Sequence, residues 1–471
     1  MRRGSHTILP TVEILAGTTP RIADLDDTAH TALTSFRQAF YDCSGGWADT
    51  LFELCDAVLC APAPVHSVPS LSLEPVFRRS HGSLYKALDR GGVDVEALRR
   101  TLVEYRPTGW PAVFAVDAST WERCDAETSP ERGFYYHPSR HSAGQPIVAG
   151  WSYQWVVQLG WAADSWTAPV DARRIPPDAD ATDTTVAQVR DLVRRLGAGG
   201  PVPLFVFDAG YDPIALSVGL AADRAAVLVR IRSDRVFYTD PEPAPPGTVG
   251  RPRRHGDRFA CADPDSWWPP DAELTTTDPV YGRVCVQAWH GLHPKLARRG
   301  RWTDHDAAPI VRGSVIRVEV ERLPKPTSRA VKTLWLWWSG PGTPDLDICW
   351  RAYLRRFDIE HTYRFAKNTL GWTTPALRTP AQADLWTWLI VAAYTQLRLA
   401  RGLVDDLRLP WERPREPAKL TPARVRRGFR RLGVIIGTPA SPPKSDTPGP
   451  GRPKGTCRPP RTRYPVIKKA A

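Results

Sequence analysis

Methionine is almost absent from this sequence, cysteine motifs are missing, and no apolar run is long. Met1 is the sole methionine. With Arg favoured over Lys and 47 prolines, that bias reads as GC-rich coding and carries little functional information. The eight cysteines, at 43, 55, 60, 124, 261, 285, 349 and 457, form no CxxC pair. They read as reduced, mostly buried thiols, which suits a cytoplasmic protein. His137 and His141 have i,i+4 spacing, but Pro138 between them argues for a loop and against a zinc site. The longest apolar run, near 389–394, is too short to span a bilayer, so no membrane partner is expected. Arg2 and Arg3 precede a segment too polar and too short for a signal peptide. Walker A, HExxH and GxSxG patterns are all absent, which leaves the commonest nucleotide-hydrolysing, zinc-peptidase and serine-hydrolase readings without support.

What the chain does have is length and positive charge. Its 471 residues allow two or three domains with ample core. Lys and Arg number 63 against 50 acids, a net charge of +13, which favours polyanionic partners. Residues 27–105 read as helices broken by Gly and Pro. Leu84, Leu88, Leu98 and Leu102 recur at helical spacing around Gly91-Gly92, as in a helix-turn-helix or an ordinary helical hairpin. At Trp110 the texture changes. VFAVDAS is an apolar strand delivering Asp117 at its C-terminal end, and LFVFDAGYD is a second buried strand delivering Asp208. Between them the 182–200 segment opens on polar caps and ends at Gly197, a well-signalled helix. Strand, helix, strand, helix, strand makes an α/β layer. From 234 to 345, Pro-rich turns separate short alternating, aromatic runs, which predict a mostly-β insertion.

The stretch YLRRFDIEHTYRFAKNTLG, residues 353–371, is rich in helix formers, lacks Pro and ends in Gly371, predicting one helix. At about 100° per residue, Tyr353, Arg356, Glu360 and Lys367 then share an arc of roughly 60°. A carboxylate flanked by two cations in so narrow a stripe suits a metal ion held beside a phosphodiester. The plain alternative is a solvated face with Arg356 and Glu360 as an i,i+4 pair.

The spacing Y-x2-R-x3-E-x6-K, met by Tyr353, Arg356, Glu360 and Lys367, resembles the signature of bacterial insertion-sequence transposases of the DDE type. The resemblance extends to VFAVDAS and LFVFDAGYD, and covers roughly residues 110–400 in organisation. It implies an α/β fold: a ribonuclease H-like catalytic core (106–233 and 346–405) with an inserted mostly-β subdomain (234–345). A helical N-terminal DNA-binding domain (1–105) and a basic, Pro-rich C-terminal region (406–471), with one further helix and a disordered tail from Pro442, would flank it. Asp117, Asp208 and Glu360 would be the catalytic and metal-binding residues, holding two Mg²⁺ or Mn²⁺ ions. Asp125, Asp212 and Asp358 are the rivals for misassignment. Tyr353, Arg356 and Lys367 would contact DNA, and Trp289, Trp302, Trp335 and Trp337 are either a platform for a flipped base or core aromatics of the insertion. Arg452 and Lys454 lie in a Gly-Arg-Pro segment, 448–455, like that of AT-hook peptides, a minor-groove alternative to plain electrostatic binding. The implied activity is cleavage at the element's ends and strand transfer into target DNA. The partners would be double-stranded DNA, as terminal inverted repeats and as target, and further copies of the chain in a homodimer or larger synaptic assembly. A structure-selective nuclease on the same core, or a non-catalytic transposase-derived DNA-binding protein, are the competing expectations.

Overall fold

The computed structural model describes residues 27–136, 146–243, 252–304, 306–324, 332–444 and 460–468, with a few single positions between them. His137, His141, Arg452 and Lys454 lie outside the described residues. The chain opens with five helices, α1 (Asp27–Asp42), α2 (Ala48–Cys60), α3 (Val68–Leu71), α4 (His81–Arg90) and α5 (Val95–Glu104). Strands β1 (Val113–Glu122), β2 (Gly133–Tyr136), β3 (Ile147–Leu159) and β4 (Thr167–Ile175) follow, then α6 (Ala181–Leu196), β5 (Leu204–Phe207), α7 (Pro213–Gly219) and β6 (Ala226–Ile231). The next region is mostly strand, with two short 3-10 turns (Pro264–Ser266 and Gly300–Trp302): β7 (Val236–Tyr238), β8 (Arg258–Ala260), β9 (Ala272–Asp278), β10 (Gly282–Leu292), β11 (Gly313–Val320) and β12 (Thr333–Ser339). Helices α8 (Leu346–Arg355), α9 (Asp358–Asn368), α10 (Pro380–Leu399) and α11 (Pro422–Ile436) complete it.

The fold is mixed α/β around one large mixed sheet of 10 strands, ordered β2-β3-β1-β5-β6-β12-β11-β10-β9, with β4 paired to β3. β1, β5 and β6 run parallel, so their connections must cross over, and α6 and α7 supply the crossovers. The capping chemistry predicted for 182–200 is realised: Asp180 accepts from the Thr182 and Asp183 amides, and Gly197 closes α6 at φ 72°. β12 pairs antiparallel with β6, so most of the insertion continues the central sheet, while β7 and β8 pair apart from it.

α10 is the central pillar. Thr379 and Gln382 cap it reciprocally, and it is buried nearly throughout, against α1, α2, α11 and β4. The leucines predicted to be apolar in the hairpin, Leu84, Leu88, Leu98 and Leu102, are all buried. Gly91 between α4 and α5 cannot be replaced without movement, because a Cβ there would meet the Ala87 carbonyl at 2.3 Å. Several cations around this hairpin are committed within the molecule: Arg78 and Arg79 pair with Glu53, and Arg99 with Asp171. Lys86, Arg90 and Arg100 are exposed.

Two expectations need correction, and one pair of alternatives is decided. The stretch from Tyr353 to Gly371 is two helices, not one. α8 stops at Arg355, and the chain turns at Arg356 and Phe357 through three-residue bonds from Ile359 N to Arg356 O and Glu360 N to Phe357 O, both 3.1 Å. No Pro or Gly marks that turn, so periodicity alone passes through it. The tryptophans of the insertion are core. Trp289, Trp302, Trp335 and Trp337 are all buried, packed with Phe237 and Phe259, and present no face for a base. The end of the basic tail is ordered: Tyr464 N donates to Glu127 O at 2.8 Å and Ile467 N to Arg132 O at 2.7 Å, which lays 464–467 along 127–133, up to the first residue of β2.

Candidate active site

The sheet brings two of the expected carboxylates together by register. β1 pairs with β5 through Val113↔Leu204, Phe114↔Phe205 and Ala115↔Val206. Continuing that register sets Asp208, the residue next after β5, beside Asp117 at the same height. Asp117 itself is not at a strand end, as the sequence suggested, because β1 runs on to Glu122 paired with β3. It sits where the parallel neighbour stops, and there the sheet edge opens into a cavity of about 380 Å³ lined by both aspartates.

Glu360 comes from the first turn of α9, which packs on β1. Its carboxyl is near enough to Asp117 to act on it electrostatically. Asp117 is 8 % exposed, and burial pushes its carboxyl up to about 7. Arg356 opposes that rise, while Glu360 and Asp208 add to it by repulsion. The Arg356 guanidinium donates to Asp117 Oδ2 at 3.2 Å, and Asp208 and Glu360 also help to hold its charge. The turn at Arg356 and Phe357 therefore places Arg356 over the carboxylates although it lies on neither helix.

The other members of the expected stripe are more dispersed. Tyr353, buried on α8, has the Arg356 guanidinium 6.0 Å from its ring centre. Lys367, at the far end of α9, donates from Nζ to Thr120 O at 3.0 Å and lies 5.8 Å from the Trp372 ring centre. Burial lowers the pKa of Lys367, against the pull of Glu122 and Glu360. A second, polar cavity of about 560 Å³, which includes His66, Glu122 and Thr374, opens beside it.

The rival acids have other partners, although Asp212 also lines the cavity with Asp117 and Asp208. Asp212 caps α7 through the Ile214 and Ala215 amides. Asp125 is exposed beside Arg123 at 3.6 Å, and Asp358 pairs with Arg355 at 2.8 Å.

A family model described as DDE superfamily endonuclease matches residues 39–295, more than half of the chain. The chain belongs to this family. The matched span includes Asp117 and Asp208 and stops short of Glu360. No curated protein matches the sequence. Among solved structures, a cryo-EM structure of the piggyBac transposase synaptic complex with hairpin DNA is similar at 11% identity and a TM-score of 0.36, over 88% of this chain and 81% of that one. That likeness is too distant to bear on the fold.

In this DDE endonuclease, sequence reasoning missed the groups that fix the site from behind. The Tyr363 hydroxyl donates to the Asp117 carbonyl at 2.5 Å and accepts from Trp155 N at 3.3 Å. It thereby ties α9 to β1 and β3 at the level of the carboxylates. Tyr211, after β5, donates to the buried Gln154 at 2.8 Å. Tyr363 stands one helical turn after Glu360, the only signal in the sequence that could have pointed to it.

Among the described residues, no three acidic, His or Cys side chains are placed as a ready-made ion site. Asp208 Oδ1 instead accepts from Gly210 N at 2.8 Å, and Arg356 occupies Asp117 Oδ2. The donor chemistry still fits a hard divalent cation. Carboxylate oxygens are what Mg²⁺ and Mn²⁺ take, and the crowding that raises Asp117 is what a cation would relieve. Among the described residues, no helix is long and apolar enough to cross a membrane.

Proposed function

We propose that this DDE endonuclease is the transposase of a bacterial insertion sequence, cleaving DNA at the element's ends and joining the freed ends to target DNA. The observation that carries the reading is the parallel register of β1 and β5, which sets Asp208, just past β5, beside Asp117, with the Glu360 carboxyl acting on Asp117 electrostatically. The ribonuclease H-like core and the Tyr-Arg-Glu-Lys signature are parts of the same proposal. The order of the chain supports it: first Asp on a central strand, second Asp after a buried strand, then strands that extend the sheet, then Glu on a helix.

Asp117, Asp208 and Glu360 would hold the divalent ions. Two such ions, Mg²⁺ or Mn²⁺, can activate an attacking oxygen and stabilise the leaving one in phosphodiester chemistry. Arg356, already against Asp117, is placed to take a phosphate oxygen next to the carboxylates, because guanidinium binds phosphate through paired donors. Lys367 bounds the neighbouring polar cavity and would hold the strand further along. Tyr353 backs Arg356 and limits its orientation. The basic surface would gather double-stranded DNA, and joining an element's two ends would call for further copies of the chain.

The test is Mg²⁺-dependent nicking and strand transfer on DNA carrying the repeats that flank the gene. Wild type should nick and join, while Asp117→Ala, Asp208→Ala and Glu360→Ala should bind the same DNA without cutting it. Substantial cleavage by any of the three removes that residue from the site. Nicking without joining would favour a nuclease.

A further inference from the structure

The cavity that ends at Asp117 and Asp208 has a wall outside the expected catalytic residues, and one part of it, Ile467, also lies outside the family match. Its lining includes Phe134 and Tyr135 from β2, the Pro176-Pro177 corner after β4, the polar side chains of Ser152, Gln154 and Thr182, and Ile467 from the C-terminal segment. Ile467 is held there by backbone pairing. It forms a parallel bridge with Gly133 and donates its N–H to Arg132 O at 2.7 Å, while Tyr464 N donates to Glu127 O at 2.8 Å. Arg132 makes the attachment specific. It is 3 % exposed, and among the described residues its guanidinium donates to three carbonyls: Ser129 at 3.0 Å, Arg123 at 3.1 Å and Tyr464 at 3.0 Å. A buried arginine is costly to desolvate, and one of its three partners belongs to the C-terminal segment. Arg463 adds an ion pair to Glu127 at 3.3 Å.

We propose that residues 460–468 form a strap that completes a binding pocket for one nucleotide of the DNA strand, next to the phosphate presented to Asp117 and Asp208. This rests on the DNA-cleavage reading above. The chemistry of the lining supports it. One end is carboxylate, suited to a cation-bridged phosphate. The other is aromatic, prolyl and aliphatic, suited to the face of an unpaired base, which stacks on such surfaces whatever its sequence. At about 380 Å³ the cavity has room for a nucleoside-sized group, at the small end of pockets that bind organic ligands. Phe134 is 44 % exposed and stands at the mouth. Arg461 and Lys468, exposed on the same C-terminal segment as Ile467, supply charge for the backbone of the same strand. The strap thus acts on positioning at the reacting phosphate, beyond any general attraction of a basic tail.

Three forms of the full-length protein test this: wild type, Ile467→Asp, and a deletion of 461–471, each checked by thermal melting. Amide hydrogen exchange without DNA should show Tyr464 and Ile467 protected in wild type. Single-turnover nicking at saturating DNA should fall about tenfold in Ile467→Asp, with the dissociation constant changed less than about threefold (tenfold corresponds to about 1.4 kcal/mol). An abasic nucleotide beside the mapped nick should slow wild type similarly and slow Ile467→Asp no further. Wild-type rates in both variants, or abasic and Ile467→Asp effects that multiply, would overturn the proposal. A benzophenone amino acid replacing Phe134 separates the two readings. If wild type cuts no DNA, the cleavage reading fails. Crosslinking to DNA that drops with the strap deleted would still support the pocket, and equal yields would sink it.

Discussion

Two buried aspartates on neighbouring parts of the same sheet have opposite surroundings. Asp171, on β4, is fully buried between Arg99 at 2.7 Å and Arg173 at 3.1 Å. Those arginines go on to pair with Glu96 and Asp191, so charge is balanced outward into a network. Asp117, on β1, has the single close cation Arg356 and two carboxylates, Glu360 and Asp208, pressing on it. The first is a structural clamp, pinning α5 to the sheet and complete as it stands. The second is short of positive charge and open to a cavity. An aspartate at a buried strand is uninformative alone; the balance of its neighbours separates a clamp from a site awaiting a cation and a phosphate.

Substitutions that leave the shape and remove the charge should set the two apart. The largest effect belongs to catalysis. Asp117→Asn, Asp208→Asn and Glu360→Gln should abolish Mg²⁺-dependent nicking while melting no lower than wild type, since they relieve repulsion. A substantially lower melting temperature for Asp117→Asn would move it to the clamp class. Next comes Asp171→Asn, which leaves two desolvated arginines short of a partner. Unfolding in denaturant should show a loss of about 3 kcal/mol, with nicking by the folded protein retained. Lost nicking at full stability would give Asp171 a direct role.

Smaller effects sharpen the contrast. Arg356→Ala removes the cation paired with Asp117 and a candidate phosphate ligand, and should slow cleavage about 10–100-fold, the worth of a charge-assisted hydrogen bond. Lys367→Ala should cost less, because its ammonium is already engaged by Thr120 O. If both lose activity only in proportion to folded fraction on a thermal melt, their role is structural. The smallest effect is expected in the insertion. Trp289→Phe loses a hydrogen bond to Trp268 O and some packing, about 1–2 kcal/mol of stability, with cleavage by the folded protein unchanged. A selective loss of cleavage would return the tryptophans to the DNA.

The sequence made some of this legible for definite reasons. Apolar runs ending in Asp marked β1 and β5, and Asp180 and Gly197 bounded α6, because caps and buried strands are local chemistry. The turn at Arg356 and Phe357 was not legible. Both residues suit helices, and the bend follows from docking α8 and α9 on different parts of the sheet. β4 was overlooked because its sequence, TAPVDARRI, buries Asp171 and so lacks the apolar run of its neighbours. The strap was hidden by composition: Pro- and Arg-rich sequence reads as disorder, yet backbone pairing to β2 and the buried Arg132 hold it without apolar periodicity. The tryptophans show the limit of aromatic content, which marks a core and a stacking platform alike.

The central claim is that Asp117, Asp208 and Glu360 are one cation-binding site. Calorimetric Mn²⁺ titration of wild type and the three charge-removing variants, with Asp171→Asn as the comparison, tests it without relying on activity. Wild type and Asp171→Asn should bind alike, and Asp117→Asn, Asp208→Asn and Glu360→Gln should each weaken binding at least about tenfold, or 1.4 kcal/mol. Wild-type affinity in any of those three would contradict the shared site.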